Sequence, residues 1–324
     1  MLIRGEIHME NERKPPLRLL QEEALARRLS KNHPLLPKIH SSIEKRKAGY
    51  RGELNMDYHL TFLPPKRYSI VRDLHLTDQF PFQIDTLLLS SQLIVILETK
   101  NIYGKLFFDK NSKQLIRKVD EVEDGFSNPT EQAKRQSFQF KNWLIKHKFP
   151  AIPIEYFATI SNPQSIIKSN DEKLFNHVCH SEHVVAKILL LEKSYSMIIT
   201  DEKTIRKIRK TIIKENNPPK HNVLKSWGIS RTEIIHGVEC TNCHRFPMKR
   251  NYSTWFCPYC MAVSKEAYIQ AIKDYFLLID SFITNKACRE FLLLSSRRTS
   301  QRMLNSMNLL KKGSTKSVVY VERK

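Results

Sequence analysis

The stretch 82–100, FQIDTLLLSSQLIVILETK, constrains this chain more than any other. Two apolar, β-branched runs flank Ser90-Ser91, and such runs form strands buried on both faces of a sheet. Charge enters only at Asp85, Glu98 and Lys100. A hairpin turning on Ser90-Ser91 pairs Leu89 with Gln92 and sets Asp85 opposite Ile96, diagonal to Glu98. Side chains alternate along a strand, so Glu98 and Lys100 share a face, and this register adds Asp85 to it. A one-residue bulge would turn Asp85 away. Buried charge needs a partner or a metal. Two carboxylates with room for water suit Mg²⁺ (or Mn²⁺), and a lysine beside them can position a nucleophile or offset developing charge. The plainer reading of Glu98 and Lys100 is an ordinary ion pair at a strand end.

The surrounding sequence predicts an α/β fold. A helix over 17–29 is broken by Pro34 and Pro37, and a second helix over 50–60 stops before Pro64-Pro65. A third, over 129–146, carries Ala133, Ser137, Phe140 and Leu144 as one stripe, and IEYFATI follows as a strand. The segment 49–162 resembles the nuclease-related domain family, NERD, whose fold is similar to restriction endonucleases of the PD-(D/E)xK type. The resemblance rests on Gly52-Glu53, Ile84-Asp85, Glu98-Thr99-Lys100-Asn101, Gly104, Pro129 and Gln132. Ile84 stands where the broader motif has proline. The resemblance implies a restriction-endonuclease-like core with Asp85, Glu98 and the Thr99 carbonyl as metal ligands. It further implies Lys100 as the catalytic lysine, Glu53 as a third acidic contributor and Gln132 as a residue that orders the site. Glu53 and Gln132 read equally well as ordinary helix-start residues.

A formal net charge of +21 marks a surface that attracts polyanions, nucleic acid first among them. The beginning MLIRGEIHMENERKPP lacks the apolar stretch of a signal peptide, and apolar runs such as 93–97 are strand-sized. The expectation is a cytoplasmic protein with no membrane span, whose cysteines are reduced or metal-bound.

Cys240 and Cys243, then Cys257 and Cys260, form two CxxC pairs separated by thirteen residues. Two such knuckles complete a closed, structural Zn²⁺ site. Between them, Tyr252 and Trp255 read as ribbon core, with base stacking beside Lys249 and Arg250 as the second reading. The group His177, Cys179, His180 and His183 reads as a strand-end coincidence.

Near the end of the chain, Thr284 and Ser296 are N-cap candidates for two helices. On the second, Arg298, Gln301, Arg302 and Asn305 form a polar face suited to base edges and phosphates. The pattern resembles a helix-turn-helix of the kind Ser-x-x-Thr-x-x-Arg-x-Leu, carried here by Ser296, Thr299, Arg302 and Leu304. Leu294 and Ser295 stand where the turn usually has glycine and an apolar residue. Lys311-Lys312-Gly313 and SVVYV suggest a winged hairpin. An amphipathic pair packed on another domain is the alternative.

The expected organisation is a basic helical extension (1–48), a nuclease-related α/β domain (49–202), a basic helix and linker (203–235), a zinc ribbon (236–262) and a helix-turn-helix-like domain (263–324). The expected function is a divalent-metal-dependent nuclease acting on DNA. The alternatives are a non-enzymatic DNA-binding protein on a degenerate nuclease scaffold and an RNA-directed nuclease. A recognition helix argues against RNA, whose A-form major groove excludes it.

Overall fold

The structure, a computed structural model, describes residues 13–314 and 317–323. The first twelve residues of the expected N-terminal extension lie outside them. The chain divides into two compact units. Among the described residues, one is Lys47–Lys220 with residues 13 and 14, and the other is Pro15–Arg46 with the described chain from His221 onward.

The described chain opens with helices α1 (Leu17–Arg28) and α2 (Leu36–Leu60). Pro37 therefore lies in the first turn of α2, where a missing N–H costs nothing, and one helix runs on through 50–60. Strands β1 (Ser69–Thr77), β2 (Pro81–Leu89) and β3 (Ile94–Lys100) follow, then β4 (Lys105–Phe108), β5 (Gln114–Val119) and β6 (Val122–Ser127). Helix α3 (Pro129–Lys146) starts with proline at its first position, and the Asn128 side chain accepts from the Thr130 N–H at 2.9 Å. Strands β7 (Ile154–Ile160), β8 (Ile166–Ser169) and β9 (Val178–His180) and helices α4 (Val184–Ser194) and α5 (Glu202–Glu215) complete the first unit.

Its main sheet has the order β1-β2-β3-β7-β9, with β1, β2 and β3 antiparallel and β3, β7 and β9 parallel. Alternation along β3 explains how the sheet is covered. Ile94 and Ile96 pack with Phe140 and Trp143 of α3 and Ile208 and Ile212 of α5. Val95 and Leu97 pack with Met56 and Leu60 of α2 and Val184 and Ile188 of α4. Each such buried side chain contributes about 1.5–3 kcal/mol over an exposed one. A second sheet, β6-β5-β4-β8, lies outside the strands that periodicity predicts. Its strands are short and charged, so its pattern is weak.

The hairpin register differs from the sequence expectation. Thr86 pairs with Leu97 and Leu89 with Ile94, and the turn centres on Ser91-Gln92, closed by the Ser90 N–H donating to Leu93 O at 3.1 Å. A shift of two residues preserves the face of every side chain. Pairing ends at Thr86 and Leu97, which brings Asp85 level with Glu98 rather than diagonal to it.

In the second unit, α1 and the first part of α2 share one core with α6 (Val223–Trp227), Trp255, Cys240, Cys257 and α7 (Ala267–Leu278). Trp255 lies in a small sheet of β10 (Lys249–Asn251), β11 (Thr254–Phe256) and β12 (Val263–Ser264), and the four clustered cysteines lie in the turns outside these strands. The chain then runs through β13 (Phe282–Thr284), α8 (Asn285–Leu292), α9 (Arg297–Ser306), β14 (Leu309–Lys312) and β15 (Val319–Glu322). These last strands form a sheet of order β13-β15-β14. Among the described residues, no helix is long and apolar enough to cross a membrane.

Candidate active site and metal centre

The ends of β2 and β3 diverge past Thr86 and Leu97, and the site fills the gap. Asp85 turns its Oδ2 to the Thr99 N–H at 3.1 Å. That bond replaces the ladder bond lost where the strands part. Glu98 is 1% exposed, so both of its oxygens need partners. Lys100 Nζ donates to Oε1 at 2.6 Å, and Gln136 Nε2 donates to Oε2 at 2.8 Å. The ion pair of the plainer reading is therefore present, but it is one part of a larger set. Gln136 was not among the sequence candidates. It completes the buried stripe Ala133, Gln136, Phe140, Trp143 and Leu144 of α3, where Ser137 is only half-buried. A polar side chain inside an apolar stripe is the signal that would have found it had the stripe been phased on 136 rather than 137. Gln132 lies one turn nearer the start of α3 and is half-buried.

Glu53 comes from α2, where Arg13 Nη1 holds its Oε2 at 2.7 Å. Gly52 permits this approach. A Cβ there would lie 2.6 Å from Ser161 Oγ and 2.8 Å from the Asn101 Cβ. Asn101 donates to the Ala48 carbonyl at 2.7 Å, tying the end of β3 to the same helix. Gly104 has φ +118°, a conformation side chains rarely adopt, and starts the path into β4.

Electrostatics follow from crowding. Burial pushes the Asp85 carboxyl well above its ordinary value, the charges of Glu98 and Glu53 push it further, and the Thr99 N–H and Lys100 oppose them. Burial also raises Glu53, against the pull of Arg13. Burial alone would lower the Lys100 ammonium, but the charge and hydrogen bond of Glu98 outweigh it and raise its pKa. Such a set of hard oxygen donors fits a Mg²⁺-type cation. Asp85 and Glu98 are the carboxylates that would hold it.

In the second unit, the side chains of Cys240, Cys243, Cys257 and Cys260 converge, with all four sulfurs within 4.8 Å of one another. Sγ–Sγ separations are 3.6 Å for Cys240 and Cys260 and 3.5 Å for Cys243 and Cys257. Tetrahedral thiolates around zinc lie about 3.8 Å apart for a Zn–S bond of about 2.3 Å, so the cluster fits a metal ion of that kind. The Ala262 N–H and the Asn242 amide favour the Cys260 thiolate and lower it to about 6. Trp255 is buried in the core, whereas Tyr252 is 95% exposed. The aromatic pair thus divides between the two readings. His177 stacks on Tyr156 at 4.4 Å, and Cys179 joins the core of the first unit.

Thr284 and Ser296 cap α8 and α9 by accepting from Ala287 and Thr299 N–H groups at 3.0 and 3.2 Å. The left-handed residue between the helices is Leu293, with φ 56° and ψ 48°, and Leu294 is half-buried behind it. The turn thus falls one residue earlier than the sequence alignment suggests. Arg298, Arg302 and Asn305 are exposed. Gln301 is half-buried and donates to Asn305 at 3.1 Å and to the Tyr320 hydroxyl. Lys286, Arg289, Arg297 and Lys311 line an adjacent cleft of about 530 Å³.

Residues 48–161 match the nuclease-related domain family, NERD. The match covers about a third of the chain and includes Glu53, Asp85, Glu98, Thr99, Lys100, Gln132 and Gln136. Arg13, the four clustered cysteines and α8–α9 lie outside it. No curated protein matches the chain.

Proposed function

We propose that the protein is a divalent-metal-dependent nuclease that hydrolyses DNA phosphodiesters with Asp85, Glu98 and Lys100. The observation that carries this reading is the convergence of Asp85, Glu98, Lys100 and Gln136 where β2 and β3 part, inside the NERD-matching segment. A cation bound there would polarise a phosphate oxygen and make water a better nucleophile at neutral pH. Asp85 and Glu98 supply the charge that holds it, and Glu53 adds a third carboxylate. Gln136 keeps one Glu98 oxygen oriented. Lys100 orients the attacking water and, once substrate is bound, offsets charge on the phosphate.

The remaining parts deliver this site to DNA. Zn²⁺ on the four cysteines has no open coordination position, so its role is structural, and it contributes to folding the turns that carry it and the small sheet between them. The element order α7, β13, α8, α9, β14, β15 supports a winged helix-turn-helix, with α9 as the recognition helix. Arg298 and Arg302 are its exposed cations, and the bonds among Gln301, Asn305 and Tyr320 pre-orient the polar face. The net charge of +21 favours a polyanionic substrate. A DNA-binding protein on an inactive scaffold is the second reading, because the Lys100–Glu98 ion pair also satisfies the buried charge without a metal.

Purified protein incubated with plasmid and linear single-stranded DNA, in Mg²⁺, Mn²⁺ or EDTA, tests the proposal. Cutting should require the cation and disappear in both Asp85→Ala and Lys100→Ala. DNA binding without cutting would favour the second reading, and cutting of RNA but not of DNA, with RNA offered in parallel, would redirect the enzyme to RNA.

A further inference from the structure

We propose that Arg13 is a positioning residue of the metal site: its guanidinium holds the Glu53 carboxylate and the main chain at Asp85 in register for a shared cation. The inference rests on the metal-dependent reading of Asp85 and Glu98. Arg13 lies well before the NERD-matching segment, in a stretch with no motif of its own. Its side chain is nevertheless 2% exposed. An arginine is buried to that degree only when its donors are used.

The donors are used on two elements of the site. Nη1 binds Glu53 Oε2 at 2.7 Å and Nε binds Asp57 Oδ2 at 2.9 Å, both on α2. Nη2 binds the Asp85 carbonyl at 3.1 Å and Thr86 Oγ1 at 2.8 Å, both on β2. The Tyr50 hydroxyl donates to the Arg13 carbonyl at 2.9 Å and fixes its main chain from α2. One planar fork thus joins the helix that brings Glu53 to the strand that brings Asp85.

Two features separate positioning from simple charge balance. Asp57 already has Arg72 at 2.7 Å on its other oxygen, so Arg13 is not its sole counter-ion. The contact to Asp85 goes to the carbonyl, while the carboxylate is turned to Thr99, so the guanidinium holds Asp85 through its main chain rather than through its carboxylate. Lysine would keep the charge and lose the fork, because a point charge on a flexible stem cannot hold several acceptors in one plane.

Mn²⁺ titration of the full, zinc-loaded chain, followed by the electron paramagnetic resonance signal of free Mn²⁺, tests this. Wild type, Arg13→Lys, Glu53→Gln, the Arg13→Lys/Glu53→Gln pair and Asp85→Asn are compared, with thermal midpoints as the folding control. Arg13→Lys should weaken Mn²⁺ binding about tenfold or more, the usual effect of losing a partner that orients a ligand. The double variant should bind less weakly than the sum of the two single effects predicts, because Arg13 acts in part through that carboxylate. Arg13→Gln, read in the same way, decides the matter if lysine is not accommodated. Binding by Arg13→Lys at wild-type strength or tighter would overturn the inference, as would full additivity in the double variant. Wild-type binding no stronger than that of Asp85→Asn would overturn the metal reading itself, and the inference with it.

Discussion

Asp85, a cation ligand in the proposed mechanism, illustrates what a buried carboxylate costs a fold. Its carboxyl is buried beside Glu98 and near Glu53, and burial is the main reason its pKa is raised. A group whose folded pKa exceeds its unfolded value stabilises the fold at low pH and loses that contribution as pH rises through the folded value. Metal-free Asp85→Asn should therefore be more stable than wild type at neutral pH, on the order of 1 kcal/mol or more, because a neutral amide removes a buried like charge. The gain should shrink toward acid, where Asp85 is protonated in both states. Thermal melts across pH check this, and a uniform loss of stability would contradict it. The charged residues of this site were legible in the sequence because they interrupt apolar strands. Gln136 was hidden because one residue of helical phase separates it from Ser137, and Arg13 because nothing local distinguishes it from other basic residues near it.

Helix α2 is held close to β3 by the absence of a side chain. At Gly52 a methyl group would meet Ser161 and Asn101, whereas at Gly49, one turn earlier on the same helix, it would meet nothing within 4 Å. Alanine gains about 1 kcal/mol over glycine inside a helix, and overpacking costs about 1–3 kcal/mol. Gly49→Ala should then raise the thermal midpoint. Gly52→Ala should fail to raise it and should slow cleavage, because the neighbouring Glu53 moves with the helix. Equal stabilisation by both would refute the close approach. At this scale β2, β3 and β7 and helices α1 and α3 were readable from period and breaking or capping residues, whereas β1 and β9 were not. The hairpin register was not, because Ser90, Ser91 and Gln92 are all acceptable turn residues and a two-residue slip leaves every side chain on its face. The second sheet was missed because charged strands of four to six residues carry little alternation.

Within the second unit, the N-terminal helices and the chain from His221 onward share a core that no local pattern announces. Leu19, Leu25 and Leu29 join Ile272, Tyr275 and Phe291 in one cluster. Arg28 and Asp274, each with a side chain 1% exposed, are joined at 2.9 Å, and Arg28 also donates to the Ile235 and Gly237 carbonyls. Which core an amphipathic helix joins depends on contacts hundreds of residues away, and the sequence pattern does not encode it in a readable form. Removing one partner of such a buried pair costs about 3–5 kcal/mol. Asp274→Asn should lower stability by that amount in chemical denaturation, and a change under about 1 kcal/mol would show that the pair does not hold the unit together. In the proposed mechanism the cleavage step depends most directly on Glu98, to which both Lys100 and Gln136 donate. The decisive measurement is the single-turnover rate of cleavage of one end-labelled DNA at saturating Mg²⁺, for wild type and Glu98→Gln. The account predicts a loss on the order of a thousandfold with the fold intact by circular dichroism, the scale set by removing a principal charge-stabilising group. Equal rates in the two proteins would contradict it.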